Sequence, residues 1–133
     1  INLATYVIKK NYIPVFFLGP QELKWISPIN ANVPKALFPL QIENKKFDPL
    51  FTIALAERMI VSVSNDSGVG HMIATGGKPL ITLFGPTVPE KFRPMSENLT
   101  IIEAKSYGGK QMSFIPFDPV TRALQVYLEQ EDV

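Results

Sequence analysis

Apolar positions along this chain switch period repeatedly, and the switches mark an alternation of helices and strands. Leu3, Tyr6 and Val7 share one side of a helix in the opening INLATYVIKKNY. IPVFFLG (13–19), an apolar run bounded by Pro14 and Gly19-Pro20, predicts a buried strand. PQELKWIS (20–27) starts a short helix, NANVP (30–34) is loop, and KALFPLQ (35–41) is a second short strand. Pro39, which lacks an N–H, places that strand at an edge or ends it. FDPLFTIALAERM (47–59) reads as a helix with Asp48 as cap and Pro49 in the first turn. MIVSVS (59–64) is a β-branched strand, and DSGVGHMIATGG (66–77) is a helix closed by glycines.

The alternation continues to the end. KPLITLFG (78–85) is a buried strand, and the turn after it employs Gly85. TVPEKF (87–92) places Thr87 three residues before Glu90, a capping-box spacing. LTIIEA (99–104) is a strand, and KSYGGKQMSFIPF (105–117) a long surface loop. DPVTRALQVYLEQ (118–130) is a helix with Val120, Leu124, Tyr127 and Leu128 on its apolar face. Strands flanked by helices imply an α/β fold, a Rossmann-like parallel sheet with helices on both faces. The pattern shows no repeat and no internal boundary, so residues 1–133 read as one domain.

Composition narrows the function. A net charge of +1 and no dense Lys/Arg stripe argue against a nucleic-acid partner. The absence of cysteine excludes disulfides and cysteine-based zinc sites. No apolar run reaches the roughly 18 residues of a membrane span, and no carboxylate pair has convincing metal-ligand spacing. Neither a metal nor another cofactor is expected.

The single histidine, His71, lies five residues after Asp66 in NDSGVGHM. On a helix, Val69, Met72, Ile73 and Gly76 fall on one side and face the sheet, while Ser67 and His71 share the other. This helix starts where a strand ends, the place where ligands bind in open α/β sheets. Its first backbone N–H groups and dipole favour an anion. Ser67 and Gly68 keep the side chains small enough for a phosphate to approach, and His71 offers it a hydrogen bond. Asp, Ser and Gly are equally good residues for starting any helix, so these residues alone fit a plain cap beside a surface histidine as well.

The longer string NDSGVGHMIATGGKPLITLFGPTVPEKFRP resembles the signature of the glycosyltransferase family 9 heptosyltransferases. Three blocks match in order and spacing: Asp66-Ser67-Gly68 with His71; Gly77-Lys78-Pro79; and Phe84-Gly85-Pro86-Thr87 with Pro89. Upstream, VFFLGPQE and FDPLFTIALAERMIVSVSND are similar to the family's preceding elements, so the resemblance covers residues 1 to about 94. It departs at MIATGG, where the family's helix tends to leucine and alanine, which puts the donor sugar in question more than the nucleotide.

The resemblance implies the C-terminal, donor-binding half of a GT-B glycosyltransferase, incomplete at its N-terminus and lacking its first strand. It implies transfer of a sugar, a heptose, from a nucleotide-sugar such as ADP-heptose to a lipopolysaccharide-type acceptor. The acceptor site and the catalytic base would lie in the other half, so the 133-residue chain alone is expected to be inactive. The intact enzyme would be cytoplasmic, at the inner face of the membrane and peripherally associated with it. By the same match, Ser67 and Gly68 hold the diphosphate, Asp66 sits near the sugar and phosphates, and His71 contacts a phosphate. Glu22 falls where a carboxylate binds ribose hydroxyls, Phe47 where an apolar residue lies against the base, and Thr87 in the ligand cleft. Each has a plainer reading: Glu22 as a first-turn acid, Phe47 as a hydrophobic staple, Thr87 as a cap. The alternative for the whole chain is a non-catalytic Rossmann-like module that binds a nucleotide or a protein.

Overall fold

The computed structural model describes residues 1–41, 48–65, 68–86 and 98–131. They gather into two compact units, Ile1–Asp48 and Pro49–Val133, a division the hydrophobic pattern did not suggest.

The first unit is mostly helical. Helix α1 (Asn2–Lys9) turns Ala4 and Ile8 inward, one residue on from the expected stripe of Leu3 and Val7. Asn11, at φ 67, takes the left-handed conformation that stops the helix. Pro20–Trp25 is a 3-10 helix with Pro20 at its start, running into helix α2 (Ile26–Asn32). The expected loop at 30–34 therefore begins as helix. Ala4, Leu18, Ile29, Val33 and Ala36 form the core, and the Phe16 and Phe38 rings stack beside it at 5.6 Å.

The two strands expected in this unit are not formed. Segments 13–19 and 35–41 meet in an isolated parallel bridge, Val15 to Leu37. The Leu37 N–H donates to Pro14 O at 3.0 Å and the Phe16 N–H to Leu37 O at 2.9 Å. Proline limits the ladder on both sides: Pro14 has no N–H to give, and Pro39 opens a 3-10 turn, Pro39–Gln41.

The second unit carries the sheet. Helix α3 (Pro49–Ala56) leads to strand β1 (Ser62–Asn65), helix α4 (Gly68–Thr75) and strand β2 (Leu80–Phe84). Strand β3 (Leu99–Glu103) and helix α5 (Phe117–Glu131) follow. The three strands are parallel, in the order β1-β2-β3. In β2, Leu80, Ile81, Thr82 and Phe84 are all buried, as expected of a central strand covered on both faces.

The register identifies the two covers. Ser64 pairs with Thr82, and Thr82 with Ile101, so these three share a face. Helix α4 lies on it, because Gly70 packs against the Ser64 hydroxyl. Thr100 points to the opposite face, where its hydroxyl hydrogen-bonds the Tyr127 hydroxyl of α5 at 2.7 Å. Helix α5 buries Val120, Thr121, Leu124 and Leu128, the expected apolar stripe except that Tyr127 reaches the sheet through its hydroxyl. The expected loop at 105–117 instead contains two 3-10 turns, Ala104–Tyr107 and Met112–Phe114, with Gly108 left-handed between them at φ 88. The capping-box segment 87–92 lies outside the described residues. No described helix is long and apolar enough to cross a membrane.

Candidate functional site

The site begins at the carboxyl end of β1. Strand β1 ends at Asn65 and α4 begins at Gly68, so the start of the helix stands at the edge of the sheet where ligands bind in this class of fold. The start of a helix favours an anion, and its dipole adds about 0.3–1 kcal/mol. On α4, Gly70, Ile73 and Ala74 are buried while His71 and Thr75 are exposed. The inward stripe is rotated slightly from the expected one, and Val69, Met72 and Gly76 flank it half-buried. His71 is off the core, as its helical position implied. Thr75 Oγ1 donates to His71 O at 3.1 Å, which leaves the imidazole itself out of that bond.

Glycines fix how closely α4 can approach its neighbours. A Cβ on Gly70 would stand 2.8 Å from Ser64 Oγ and 3.2 Å from Asn65 O, so this helix start rests directly on the end of β1. A Cβ on Gly76 would meet Ala56 Cβ, the Glu57 N and Ile73 O, each at 3.2 Å, where α4 packs on α3. Gly77 has open space around it but φ 76, the left-handed position that ends the helix. Gly85 departs from expectation. It has no positive φ; a Cβ there would come within 3.1 Å of Met112 N, so the backbone of the 3-10 segment, and not the turn, requires glycine.

Of the residues singled out for the site, Gly68 and His71 stand together on α4. Glu22 is half-buried in the first unit, in the first turn of its 3-10 helix. The Glu22 N–H donates to Gly19 O at 3.1 Å, and Glu22 Oε2 folds back to 2.8 Å from the Cβ position of Gly19. Asp66, Ser67, Phe47 and Thr87 lie outside the described residues. Ser64 and Gly70 were not singled out by sequence. Their signal was a glycine within D-S-G-x-G-H that the helix itself does not require. Among the described residues no cluster of His, Asp and Glu could hold a metal.

A parallel sheet covered on both faces, with a helix opening at a strand's carboxyl end, defines the class: a Rossmann-like α/β unit. Solved structures with this fold include a glycosyl transferase family 9 protein from Veillonella parvula, at TM-score 0.80 and 24% identity over 97% of this chain and 40% of that one. The ADP-heptose lps heptosyltransferase II of E. coli has TM-score 0.77 and 24% identity, over 99% of this chain and 41% of that one. An E. coli heptosyltransferase solved with ADP has TM-score 0.67 and 18% identity, over 84% of this chain and 32% of that one. At these identities the likeness is one of fold.

Sequence carries the assignment further. Residues 50–114 match the model of glycosyltransferase family 9 (heptosyltransferase). Lipooligosaccharide heptosyltransferase 2 of Haemophilus influenzae is 50% identical over 40 residues, which are 30% of this chain and 12% of that protein. Over residues 50–114 the chain is therefore similar to glycosyltransferase family 9. It spans about two fifths of the length of the first two solved relatives.

Proposed function

We propose that this chain is the donor-binding part of a glycosyltransferase that moves a heptose from a nucleotide-sugar, ADP-heptose or a close analogue, to a lipopolysaccharide-type acceptor. The observation that carries the reading is the opening of α4 at the carboxyl end of β1, with His71 exposed on that helix. The family match over residues 50–114 spans this junction, and the names of the relatives supply the sugar, the nucleotide and the acceptor class.

The chemistry follows from where charge develops. The bond between the anomeric carbon and the diphosphate oxygen breaks, and its electron pair leaves on the diphosphate. The acceptor hydroxyl oxygen forms the new bond and gives its proton to a base in the other half of the enzyme. Negative charge gathers on the leaving group, where the α4 N–H groups and His71 would stabilise it more strongly than in the ground state. Gly68 would let the phosphate reach the backbone. Ser67 would add a hydroxyl, and Asp66 would lie near the sugar. Glu22 would hold the ribose, Phe47 the base, and Thr87 would line the cleft. The scheme uses no metal. The intact enzyme would work in the cytoplasm, peripherally at the inner face of the membrane that holds its acceptor.

Steady-state transfer by the intact protein tests this reading. ADP-heptose should be a far better donor than a UDP-sugar. His71→Ala should lower kcat/KM about 10- to 100-fold, the loss of one charge-assisted hydrogen bond. Unchanged kcat/KM in the variant, or no preference for the adenine donor, would overturn the assignment.

A further inference from the structure

We propose that Ser64 is a positioning residue for the anion-binding start of α4, a role that rests on the donor-site reading above. Ser64 is the penultimate residue of β1, and its side chain lies on the α4 face of the sheet. Its hydroxyl donates to the carbonyl oxygen of Asn65 at 2.7 Å. Because the peptide unit is planar, holding that carbonyl fixes the orientation of the carbonyl at the last residue of β1.

The helix is seated on the same two atoms. The Cβ position of Gly70 is 2.8 Å from Ser64 Oγ and 3.2 Å from Asn65 O. The hydroxyl therefore works as a spacer between strand end and helix start. A smaller side chain would free the carbonyl and leave a gap; a larger one would push α4 away. On the donor-site reading, the start of α4 is what faces the diphosphate. A site of this kind needs its donors held to within about 0.5 Å by the groups behind them. Ser64 touches no substrate in this account; it sets where the donors stand.

ADP titration of the isotope-labelled chain tests the proposal, with affinity read from amide shifts at Gly68–His71 and stability from thermal unfolding. Ser64→Ala should stay folded and bind ADP about three- to tenfold more weakly. Gly70→Ala should lower the unfolding midpoint by forcing Cβ against the hydroxyl. The double variant should recover part of that midpoint yet bind as weakly as Ser64→Ala, because a purely structural role would restore both together. Parent-like affinity in Ser64→Ala, or recovery of affinity in the double variant, would overturn the proposal. Should Ser64→Ala unfold, Ser64→Cys keeps a weak donor of similar shape and carries the same expectation. If the unsubstituted chain shows no ADP shifts at these amides, the donor-site reading fails first and takes this role with it.

Discussion

Single residues show two reasons for glycine side by side. Gly76 has ordinary backbone angles and no room, with Ala56 Cβ at 3.2 Å from its Cβ position; Gly77 has room and φ 76. Gly76→Ala should cost about 1–3 kcal/mol through overpacking. Gly77→Asn should cost well under 1 kcal/mol, since Asn accepts the left-handed conformation. Urea unfolding of both variants distinguishes them, and a reversed order would contradict the packing of α4 on α3. A string such as TGGKP shows where a helix ends, but not which glycine bends the chain and which admits a neighbour. Both Gly70 and Gly85 illustrate the same limit: what they require is contact with Ser64 and Met112, and contacts distant in sequence leave no local mark.

At the scale of elements, legibility tracked how local each signal was. Helix α5 was visible because Val120, Leu124 and Leu128 recur at helical spacing, and all three are buried. Strand β2 was visible as a short apolar run interrupted only by Thr82. The runs at 13–19 and 35–41 are just as apolar, yet they form one bridge; a strand also needs an uninterrupted partner, and proline removes the donors. Segment 105–117 read as loop because 3-10 turns are too short to impose a period. Helix α5 should behave as a cover that the sheet cannot do without. Leu124 is 3% exposed, so Leu124→Ala should destabilise the chain by about 2–5 kcal/mol. Exposed Arg122, 3.0 Å from Asp118, should cost less than about 1 kcal/mol when replaced by alanine. Comparable losses in the two variants would contradict the placement of α5.

For the whole molecule, fold class and the family resemblance were legible because three motif blocks keep their order and spacing from the end of β1 to the end of β2. The site was legible in part. The helix position of His71 was enough to take it off the core, whereas the contact of Ser64 with Gly70 emerged from packing. The split into units at Asp48 and Pro49 had no counterpart in composition. The chain spans about two fifths of its first solved relatives, and on the proposed function it should bind donor without transferring sugar. Incubation of the 133-residue chain with ADP-heptose and a lipopolysaccharide acceptor should yield no product, and measurable transfer would refute the division of labour between halves.

The most direct test of the central claim is an NMR titration of the labelled chain with ADP, UDP and inorganic phosphate, repeated with His71→Ala. Saturable shifts with ADP are expected at Gly68, Val69, Gly70 and His71, with weaker responses to UDP and phosphate and an ADP affinity reduced by the substitution. A folded chain whose α4 amides ignore ADP, or whose response survives His71→Ala unchanged, would contradict the claim and leave the start of α4 as a plain helix cap.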